Sequence, residues 1–221
     1  MQKEKRGKSM KQLKVYSMPV GNIGANCYFG VNEETKEAFC VDTGAQGERI
    51  CAMLKEHGWT LRGILLTHGH ADHITATEYV KQHTGNVMVY AGKDEEQVLK
   101  RPELNLTTMF GETVILKADQ LLADGEKIEL AGFTITCIAT PGHTEGGVCY
   151  YLEDQNVLFT GDTLFCQSIG RTDFPTGDLK TLEHSIKEKL YVLPEDTTVY
   201  PGHDSSTTIG YEKEHNMFVR G

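Results

Sequence analysis

The stretch "GILLTHGHADH", residues 63–73, places a dense group of metal-binding side chains directly after an apolar run. Three histidines and one aspartate fall within residues 67–73. Loops at the carboxyl ends of buried strands are where folds commonly carry ligand-binding and catalytic groups. In an extended chain His68 and His70 project to the same side, whereas Asp72 and His73 lie at the turn into the next helix. The stretch therefore predicts a strand, a metal-binding turn and a helix, in that order.

Each residue of this stretch also has an ordinary explanation. Aspartate is a preferred residue at a helix N-cap, so Asp72 taken alone is explained equally well as a cap. A lone histidine is more often a surface or core residue than a ligand. Three histidines in the order H-x-H-x-x-H beside an aspartate favour a metal site over these explanations, because imidazole and carboxylate groups are zinc ligands.

Three further strand ends carry the same residue types. They are His143 in "ATPGHTEGG" (139–147), Asp162 in "VLFTGDTLF" (157–165) and His203 in "TVYPGHD" (198–204). Taken singly, each is explained as a turn residue. Together with the first stretch they supply five histidines and two aspartates, which is more than one catalytic zinc needs and fits two cations that share a carboxylate. A hydroxide held between two cations is a strong nucleophile at neutral pH, and the second cation can polarise a carbonyl.

Composition limits the partners of the protein. The 221 residues, 39% of them hydrophobic, are enough for one large domain with a core. Six of the 22 basic residues but only one of the 31 acidic residues lie in the first fourteen positions, so residues 1–12 are predicted to be a basic, disordered arm and 13–221 the domain. The acidic body disfavours nucleic acid and membranes as partners, because phosphate groups are bound through clustered Lys and Arg.

The cysteines and the lack of long apolar segments indicate a cytoplasmic protein. Six cysteines lie far apart and mostly inside apolar runs, which predicts buried free thiols in a reducing compartment. No segment approaches the ~20 apolar residues of a transmembrane helix. We expect a small-molecule substrate as the partner, and a monomer or a homodimer as the oligomeric state.

Periodicity predicts strands first, then strand–helix units, then further strands and a closing helix. The predicted strands are 13–20, 26–31, 37–44, 61–68, 87–92, 127–140, the hairpin 146–162, and 197–203. The predicted helices are 47–58, 73–85, 179–193 and 209–216. Residues 93–123 are the least regular part, with a helix that breaks before Pro102. The four remaining histidines are predicted to lie on the surface: His57, His83, His184 and His215.

The motifs "THGHADH", "PGHTEGG", "FTGDTLF" and "YPGHD" resemble, in order and spacing, the motif series of the metallo-β-lactamase superfamily. The resemblance covers about residues 13 to 221. "SIGRTDFPTGD" (168–178) and "TTIGYEKEHN" (207–216) are similar to short single-domain bacterial hydrolases of the glyoxalase II (hydroxyacylglutathione hydrolase) type. The resemblance implies an α+β fold, a four-layer αβ/βα sandwich of two mixed β-sheets with helices outside and a metal site along one edge.

The resemblance also implies two divalent cations and assigns their ligands by position. One cation is held by His68, His70 and His143. The other is held by Asp72, His73 and His203, and the bridging residue is Asp162. Zinc is the expected metal, with iron and manganese as alternatives, because His and Asp ligands accept all three.

Three residues near the ligands have further implied roles. Asp72 is expected to be catalytic as well as a ligand. Asp42, in "VDTG" (41–44), matches a carboxylate that orients a ligand, although a turn residue that ends a strand explains it equally well. Arg171 matches a cation that meets a substrate carboxylate, although a salt bridge to Asp173 explains it equally well.

The activity implied by the resemblance is hydrolysis of an acyl thioester of the S-lactoylglutathione type, by attack of a metal-bridging hydroxide on the carbonyl. A thiolate leaving group, with a pKa near 8.5, needs no strong general acid. The chain has Asp173 and Ser205 where glutathione-using relatives tend to have aromatic residues, and only residues 204–221 where they have a helical domain. The thioester reaction is therefore better supported than glutathione as the carrier.

The main alternative is a persulfide dioxygenase, in which one iron is held by His68, His143 and Asp162 in a facial triad. Hydrolysis of another ester or of a lactone is also open. Common zinc β-lactamases usually have cysteine at the place of Asp162, flavodiiron enzymes usually have glutamate at the place of His70, and tRNA-processing nucleases need a cationic surface. These three functions are therefore disfavoured.

Overall fold

The computed structural model describes residues 12–221, so the predicted arm, residues 1–12, lies outside the described residues except for Gln12. The first sheet has six strands, in the spatial order β1 (Leu13–Val20), β2 (Ala25–Asn32), β3 (Glu37–Val41), β4 (Thr60–Leu65), β5 (Met88–Gly92) and β6 (Gln120–Leu122). The first three strands pair antiparallel, and β3 to β6 pair parallel. Since parallel strands end at the same edge, the turn after β4 lies at a shared carboxyl edge.

The second sheet is also mixed. Its antiparallel part consists of β7 (Lys127–Leu130), β8 (Phe133–Ala139), β9 (Val148–Leu152) and β10 (Val157–Gly161). A short hairpin of β11 (Leu164–Phe165) and β12 (Ser168–Ile169) follows. Next, β13 (Thr198–Pro201) pairs parallel with β10, and β14 (Thr207–Thr208) pairs antiparallel with β13. The strands β8, β10 and β13 therefore run in one direction, and the turns at their carboxyl ends carry His143, Asp162 and His203.

Six helices lie in the described part of the chain. They are α1 (Gly47–Glu56), α2 (Ala71–Ile74), α3 (Thr77–His83), α4 (Glu96–Lys100), α5 (Leu179–Ser185) and α6 (Ile209–His215). A π-helical turn, Ile186–Leu190, continues α5, and 3-10 turns cover Lys93–Glu95, Thr107–Phe110 and Glu153–Gln155. The side chain of Asp178 caps α5 by accepting a hydrogen bond from the backbone N–H of Thr181.

Three hydrophobic clusters explain why most strands are apolar on both faces. In β3, Ala38 and Cys40 pack toward α1 and α3, whereas Phe39 and Val41 pack between the sheets. On the other side, α5 and α6 pack against the second sheet. Leu182 of α5, for example, lies in the hydrophobic cluster that includes residues of that sheet. The order of layers is therefore helix, sheet, sheet, helix, and the predicted αβ/βα sandwich is confirmed.

Several predicted elements are shorter or divided. The predicted strand 127–140 is two strands, because Ala131 and Gly132 have left-handed backbone angles, φ 51° and 85°, and turn the chain. The predicted helix 73–85 is divided between α2 and α3. The α-helical part of the predicted helix 179–193 ends at Ser185. Four strands that no pattern predicted, β6, β11, β12 and β14, have only two or three residues each.

Other predictions on the described residues are confirmed. All six cysteines are free thiols, and Cys51 and Cys166 are the two that are not fully buried. The four histidines predicted to lie on the surface are exposed. In residues 12–221 no helix has both the length and the apolar composition needed to span a bilayer.

Candidate metal centre

The first group of ligand atoms comes from His68, His70 and His143, on the turns after β4 and β8. All three side chains are buried, with exposed fractions of 2%, 3% and 4%. One ligand nitrogen from each lies within 4.8 Å of the others. His70 Nδ1 and His143 Nε2 are 2.9 Å apart, which is close enough for the two nitrogens to share one cation.

The second group comes from Asp72 and His73, in the first turn of α2, and from His203, after β13. Its three ligand atoms also lie within 4.8 Å of one another. Asp72 Oδ2 is 3.4 Å from His73 Nε2 and 3.2 Å from His203 Nε2. The two sheets therefore contribute to this group jointly, as they do to the first.

Asp162 lies between the two groups. Its Oδ2 atom is 3.6 Å from His143 Nε2 and 3.6 Å from His203 Nε2. Its Oδ1 atom is 3.4 Å from His73 Nε2. The backbone of Gly202 approaches this carboxylate so closely that a Cβ atom there would overlap Asp162 Oδ1. The structure thus brings all seven predicted ligands into one cluster.

The cluster is suited to cations because several of its polar atoms have no other partner. In residues 12–221, four buried side-chain N or O atoms have no hydrogen-bond partner: His68 Nε2, His70 Nε2, His73 Nε2 and Asp162 Oδ1. Leaving a polar atom buried and unpaired costs about 1–3 kcal/mol. All four atoms belong to the seven clustered residues, and bound cations would satisfy His68 Nε2, His73 Nε2 and Asp162 Oδ1. His and Asp donors are able to bind zinc, iron or manganese.

The pKa shifts of several groups in the cluster favour the protonation states that metal ligands need. Burial and three neighbouring histidines hold the pKa of His68 well below its usual range, and burial lowers the pKa of His70 to about 3. Burial favours a protonated Asp162, but the charge of His73 outweighs it and lowers the pKa of Asp162 to about 2. Neutral imidazoles and ionised carboxylates are the forms that bind metal.

His73 and His203 are the exceptions. Burial opposes the charge of His203, but Asp72 and Asp162 outweigh burial and raise its pKa. Burial also opposes the charge of His73, yet Asp72, Asp162 and Asp42 together raise the pKa of His73 well above the usual value. In the absence of metal, a proton on His73 therefore offsets part of the negative charge of these carboxylates. Metal binding would displace that proton.

Asp42 lies where the sequence placed a carboxylate that orients a ligand. It is buried after β3 with a left-handed backbone (φ 56°). Its Oδ2 atom accepts a hydrogen bond from His73 Nδ1 at 2.9 Å, and its two oxygens accept from Thr67 N at 2.8 Å and Thr67 Oγ1 at 2.7 Å. Asp42, His68 and His73 form a third candidate ligand group. We assign Asp42 to orientation instead, because Thr67 and His73 Nδ1 already engage its oxygens.

The explanation of Asp72 as a helix cap is wrong. The N-cap of α2 is His70, and Asp72 lies in the first turn with its carboxylate directed at His73 and His203. Burial favours its protonated form, but His73 and His203 outweigh burial and hold the pKa of Asp72 well below the usual range. Asp72 is therefore an ionised group of the cluster.

The structure contains the salt bridge that was the alternative explanation of Arg171. Arg171 Nε and Nη2 each donate to one carboxylate oxygen of Asp173 at 2.7 Å. The guanidinium also lies 3.8 Å above the ring centre of Phe174. The backbone carbonyl of Arg171 accepts a hydrogen bond from His143 Nδ1 at 2.7 Å. This segment therefore orients a ligand histidine through its main chain.

Glu95 is a residue near the cluster that the sequence did not reveal. Its side chain is fully buried and joins the two turns that carry the first ligand group. Oε1 accepts from Gly69 N at 2.7 Å, and Oε2 accepts from Thr144 Oγ1 at 2.9 Å and from Gly146 N at 3.0 Å. Gly69 lies between two of the ligand histidines, and Thr144 follows the third.

A cavity of about 460 Å³ opens directly onto the cluster. The side chains of His70, Asp72, His143, Asp162 and His203 form one side of it. This volume lies within the roughly 300–1,000 Å³ range of small-molecule sites. A substrate in the cavity would therefore touch residues of both ligand groups.

Two relatives cover nearly the whole chain. The probable metallo-hydrolase YqgX of Bacillus subtilis is 37% identical over 95% of this chain and 99% of its own length. The hydroxyacylglutathione hydrolase GloC of Haemophilus influenzae is 36% identical over 94% of this chain and 98% of its own length.

Solved structures have the same fold. The crystal structure of BLEG-1 B3 metallo-beta-lactamase has a TM-score of 0.89 and 40% identity, over 94% of this chain and 100% of that chain. The structure of TTHA1623 in a di-iron-bound form has a TM-score of 0.80 and 30% identity, over 92% of this chain and 100% of that chain. The model of the metallo-beta-lactamase superfamily matches residues 20–203, which include all seven clustered residues. This chain belongs to the metallo-β-lactamase superfamily.

Proposed function

We propose that the protein is a dinuclear metal-dependent hydrolase of acyl thioesters of the S-lactoylglutathione type. The observation that carries the proposal is the pair of ligand groups, with Asp162 within 3.6 Å of a histidine nitrogen in each. In this proposal the first cation is held by His68, His70 and His143, and the second by Asp72, His73 and His203. Two divalent cations held there would lower the pKa of a water molecule and polarise a substrate carbonyl.

The residues of the chain supply orientation. Asp72 lines the cavity and is ionised, so its carboxylate is placed to accept a hydrogen bond from the attacking water and to direct it at the carbonyl. Asp42 fixes the ring of His73, and the carbonyl of Arg171 fixes the ring of His143. A thioester suits this site because a thiolate leaves without a strong acid, and the described lining of the cavity contains no protonated carboxyl or lysine to act as one.

The relatives support hydrolysis and leave two substrates in competition. GloC, a hydroxyacylglutathione hydrolase, supports the thioester. The 40% identity to BLEG-1, a B3 metallo-beta-lactamase, favours a β-lactam as the second candidate. The similarity to BLEG-1 also weakens the argument that an aspartate at position 162 disfavours β-lactam hydrolysis.

Metal content and a substrate panel test the proposal together. We expect close to two divalent ions per chain in protein purified without added metal, and hydrolysis of S-lactoylglutathione that a strong chelator abolishes. A β-lactam, a homoserine lactone and a phosphodiester are assayed beside it, with His70→Ala as the inactive control. The proposal fails if wild type and His70→Ala hydrolyse the thioester equally.

Two other outcomes would replace the proposal. Faster hydrolysis of the β-lactam than of the thioester would make the protein a lactamase. One iron per chain, with oxygen uptake on glutathione persulfide, would make it a dioxygenase.

A further inference from the structure

The cavity that opens onto the seven-residue cluster has a polar floor of His and Asp side chains and an apolar wall. The apolar side chains come from three separate segments: Ile23; Leu106, Met109 and Phe110; and Phe165, Ile169 and Phe174. Three of them are large and exposed, with exposed fractions of 53% for Ile23, 67% for Met109 and 55% for Phe110. Apolar side chains left exposed beside convergent polar groups are typical of a ligand-binding wall.

Among the described residues that line the cavity, Arg171 is the only lysine or arginine, and its guanidinium is already paired. Asp173 engages its guanidinium with two hydrogen bonds of 2.7 Å, and Phe174 covers one face. The pair has no net charge, and the carboxylate of Asp173 repels a second carboxylate. Away from the metal ligands, a carboxylate-bearing carrier would therefore find no unpaired lysine or arginine among the described residues that line this cavity.

A second cavity, of about 320 Å³, adjoins the first at Ile23, Asp72 and Phe110. No lysine or arginine is among the described residues that line it, and it includes the acidic Glu112. A substrate bound across the seven-residue cluster would extend one arm into each cavity, and neither arm meets an unpaired lysine or arginine among the described lining residues.

From the apolar wall and the paired Arg171 we infer that the larger cavity receives an uncharged, apolar arm of the substrate. The protein then selects thioesters by the apolar surface of that arm rather than by carboxylates of a carrier. This inference rests on the proposed thioester hydrolysis and names the substrate class of that site. The arm belongs either to the acyl group or to the thiol, and both sources present the same chemistry to the wall.

Two series of substrates show whether the apolar arm belongs to the acyl group or to the thiol. Acetyl, butyryl and hexanoyl thioesters of N-acetylcysteamine, an uncharged thiol, vary the acyl group, and acetyl thioesters of ethane-, butane- and hexanethiol vary the thiol. In one series we expect kcat/KM to rise by roughly two- to fourfold per added methylene, since burying one is worth up to about 0.8 kcal/mol. A flat response in both series, or a kcat/KM for S-lactoylglutathione above that of every apolar thioester, would overturn the inference and leave thioester hydrolysis standing.

A matched pair of variants locates the effect in the wall. Phe110→Ala removes a ring from the wall, and we expect roughly tenfold lower kcat/KM for the longest apolar substrate and a clearly smaller loss for the acetyl substrate. Ile115→Ala is the control, because Ile115 is 69% exposed and does not line the cavity. If Phe110→Ala slows the short and long substrates equally, the ring does not contact the arm and the inference fails.

Removing the charge of Asp173, which pairs with Arg171, tests whether the freed guanidinium gains affinity for a substrate carboxylate. Asp173→Asn keeps the shape of the side chain and removes its charge, so Arg171 becomes free to bind a carboxylate. We expect the KM for S-lactoylglutathione to fall by roughly two- to fivefold, as for an exposed ion pair, and the KM for apolar thioesters to stay the same. If Arg171→Ala in the wild-type background instead raises the KM for S-lactoylglutathione tenfold, Arg171 already binds the carrier and the inference is wrong.

Binding without turnover separates this inference from the proposed reaction. Thioethers that carry the same arms cannot be hydrolysed, and their dissociation constants are measured by calorimetry on the metal-loaded protein. Affinity that rises with chain length and is lost in Phe110→Ala supports the cavity assignment even if no thioester is hydrolysed. Chain-length-independent affinity contradicts the assignment even if thioesters are hydrolysed.

Discussion

The seven clustered His and Asp residues, five of which line the floor of the cavity, and the rim of the cavity, formed by Ile23, Met109 and Phe110, are built in opposite ways. The cluster lies on turns at the ends of strands from both sheets, and His73 beneath the floor is fully buried. More than half of each rim side chain is exposed. Many packed elements support the floor, whereas few contacts support the rim. Changes in the floor should therefore alter chemistry and metal binding, and changes in the rim should alter substrate preference alone.

The largest effect is expected for Asp162→Asn, in the centre of the floor. A carboxylate shared by two ligand groups becomes a neutral amide, so we expect loss of one metal ion per chain and of several kcal/mol of transition-state stabilisation, roughly a thousandfold in kcat. Metal analysis and the thioester assay measure the two losses. Asp196→Asn, in an exposed turn, is the control. A variant that keeps two ions and wild-type kcat would show that Asp162 does not join the two groups.

The next largest effect is expected for the pH dependence of stability at Glu95, which joins the two turns that carry the first ligand group. Burial raises its pKa from the ordinary 4.5 to about 7. Between these pH values the folded protein keeps a proton on Glu95 that the unfolded chain loses. The free energy of unfolding therefore falls as pH rises through this window, by about 3 kcal/mol for a shift of this size.

Glu95→Gln removes this titration, so the metal-free variant should lose less stability than the wild type between pH 5 and pH 8. Denaturant unfolding at the two pH values measures the difference, with Glu56→Gln, at the exposed end of α1, as the control. An identical pH dependence in wild type and Glu95→Gln would mean that Glu95 is ionised throughout and is stabilised by its three hydrogen bonds.

Glu95 also marks the limit of what the sequence predicts. The clustering of His68, His70 and His73 can be predicted because they stand within a few residues of one another, directly after an apolar strand. Glu95 lies 26 residues from Gly69 and 49 from Thr144. It stands in the acidic run "KDEEQ" (93–97), which has the composition of a solvated helix. Its role depends on the packing of the two turns, and no local pattern encodes that packing.

The secondary structure shows the same difference between features that a local sequence pattern predicts and features that depend on packing. Strands with several apolar residues, such as β1 and the β9–β10 hairpin, are predicted from the sequence to within one or two residues. The two-residue strands β11, β12 and β14 are too short to show a period, and they form only because neighbouring strands pair with them. In residues 93–123 the sequence predicts only a helix that breaks before Pro102, which α4 (Glu96–Lys100) confirms. This otherwise irregular segment also supplies Glu95 and the rim residues Met109 and Phe110.

A smaller effect is expected for Asp42→Asn, which changes the support of the floor and leaves all seven clustered residues in place. Asp42 accepts the Nδ1–H of His73 and two hydrogen bonds from Thr67. An amide cannot accept all three in the same way, so the ring of His73 is held less firmly. We expect roughly 10- to 100-fold weaker binding of one of the two metal ions.

Competition with a chelator measures this loss of affinity. Asp154→Asn is the control, because Asp154 lies exposed at the opposite end of β10 from Asp162. Equal metal affinity in Asp42→Asn and Asp154→Asn would favour the explanation of Asp42 as a turn residue that ends β3.

The smallest effect on stability is expected at the rim, where Met109→Ser serves as the test. Met109 is 67% exposed, so its truncation removes little buried apolar surface, and the free energy of unfolding should change by no more than about 0.5 kcal/mol. Leu99→Ala is the comparison from the same segment of the chain. Leu99, in α4, is 1% exposed and packs in the core, and its truncation should cost about 2–5 kcal/mol. Denaturant unfolding and metal content are measured for both variants. If Met109→Ser destabilises the protein as much as Leu99→Ala, the rim is part of the core and the contrast with the floor does not hold.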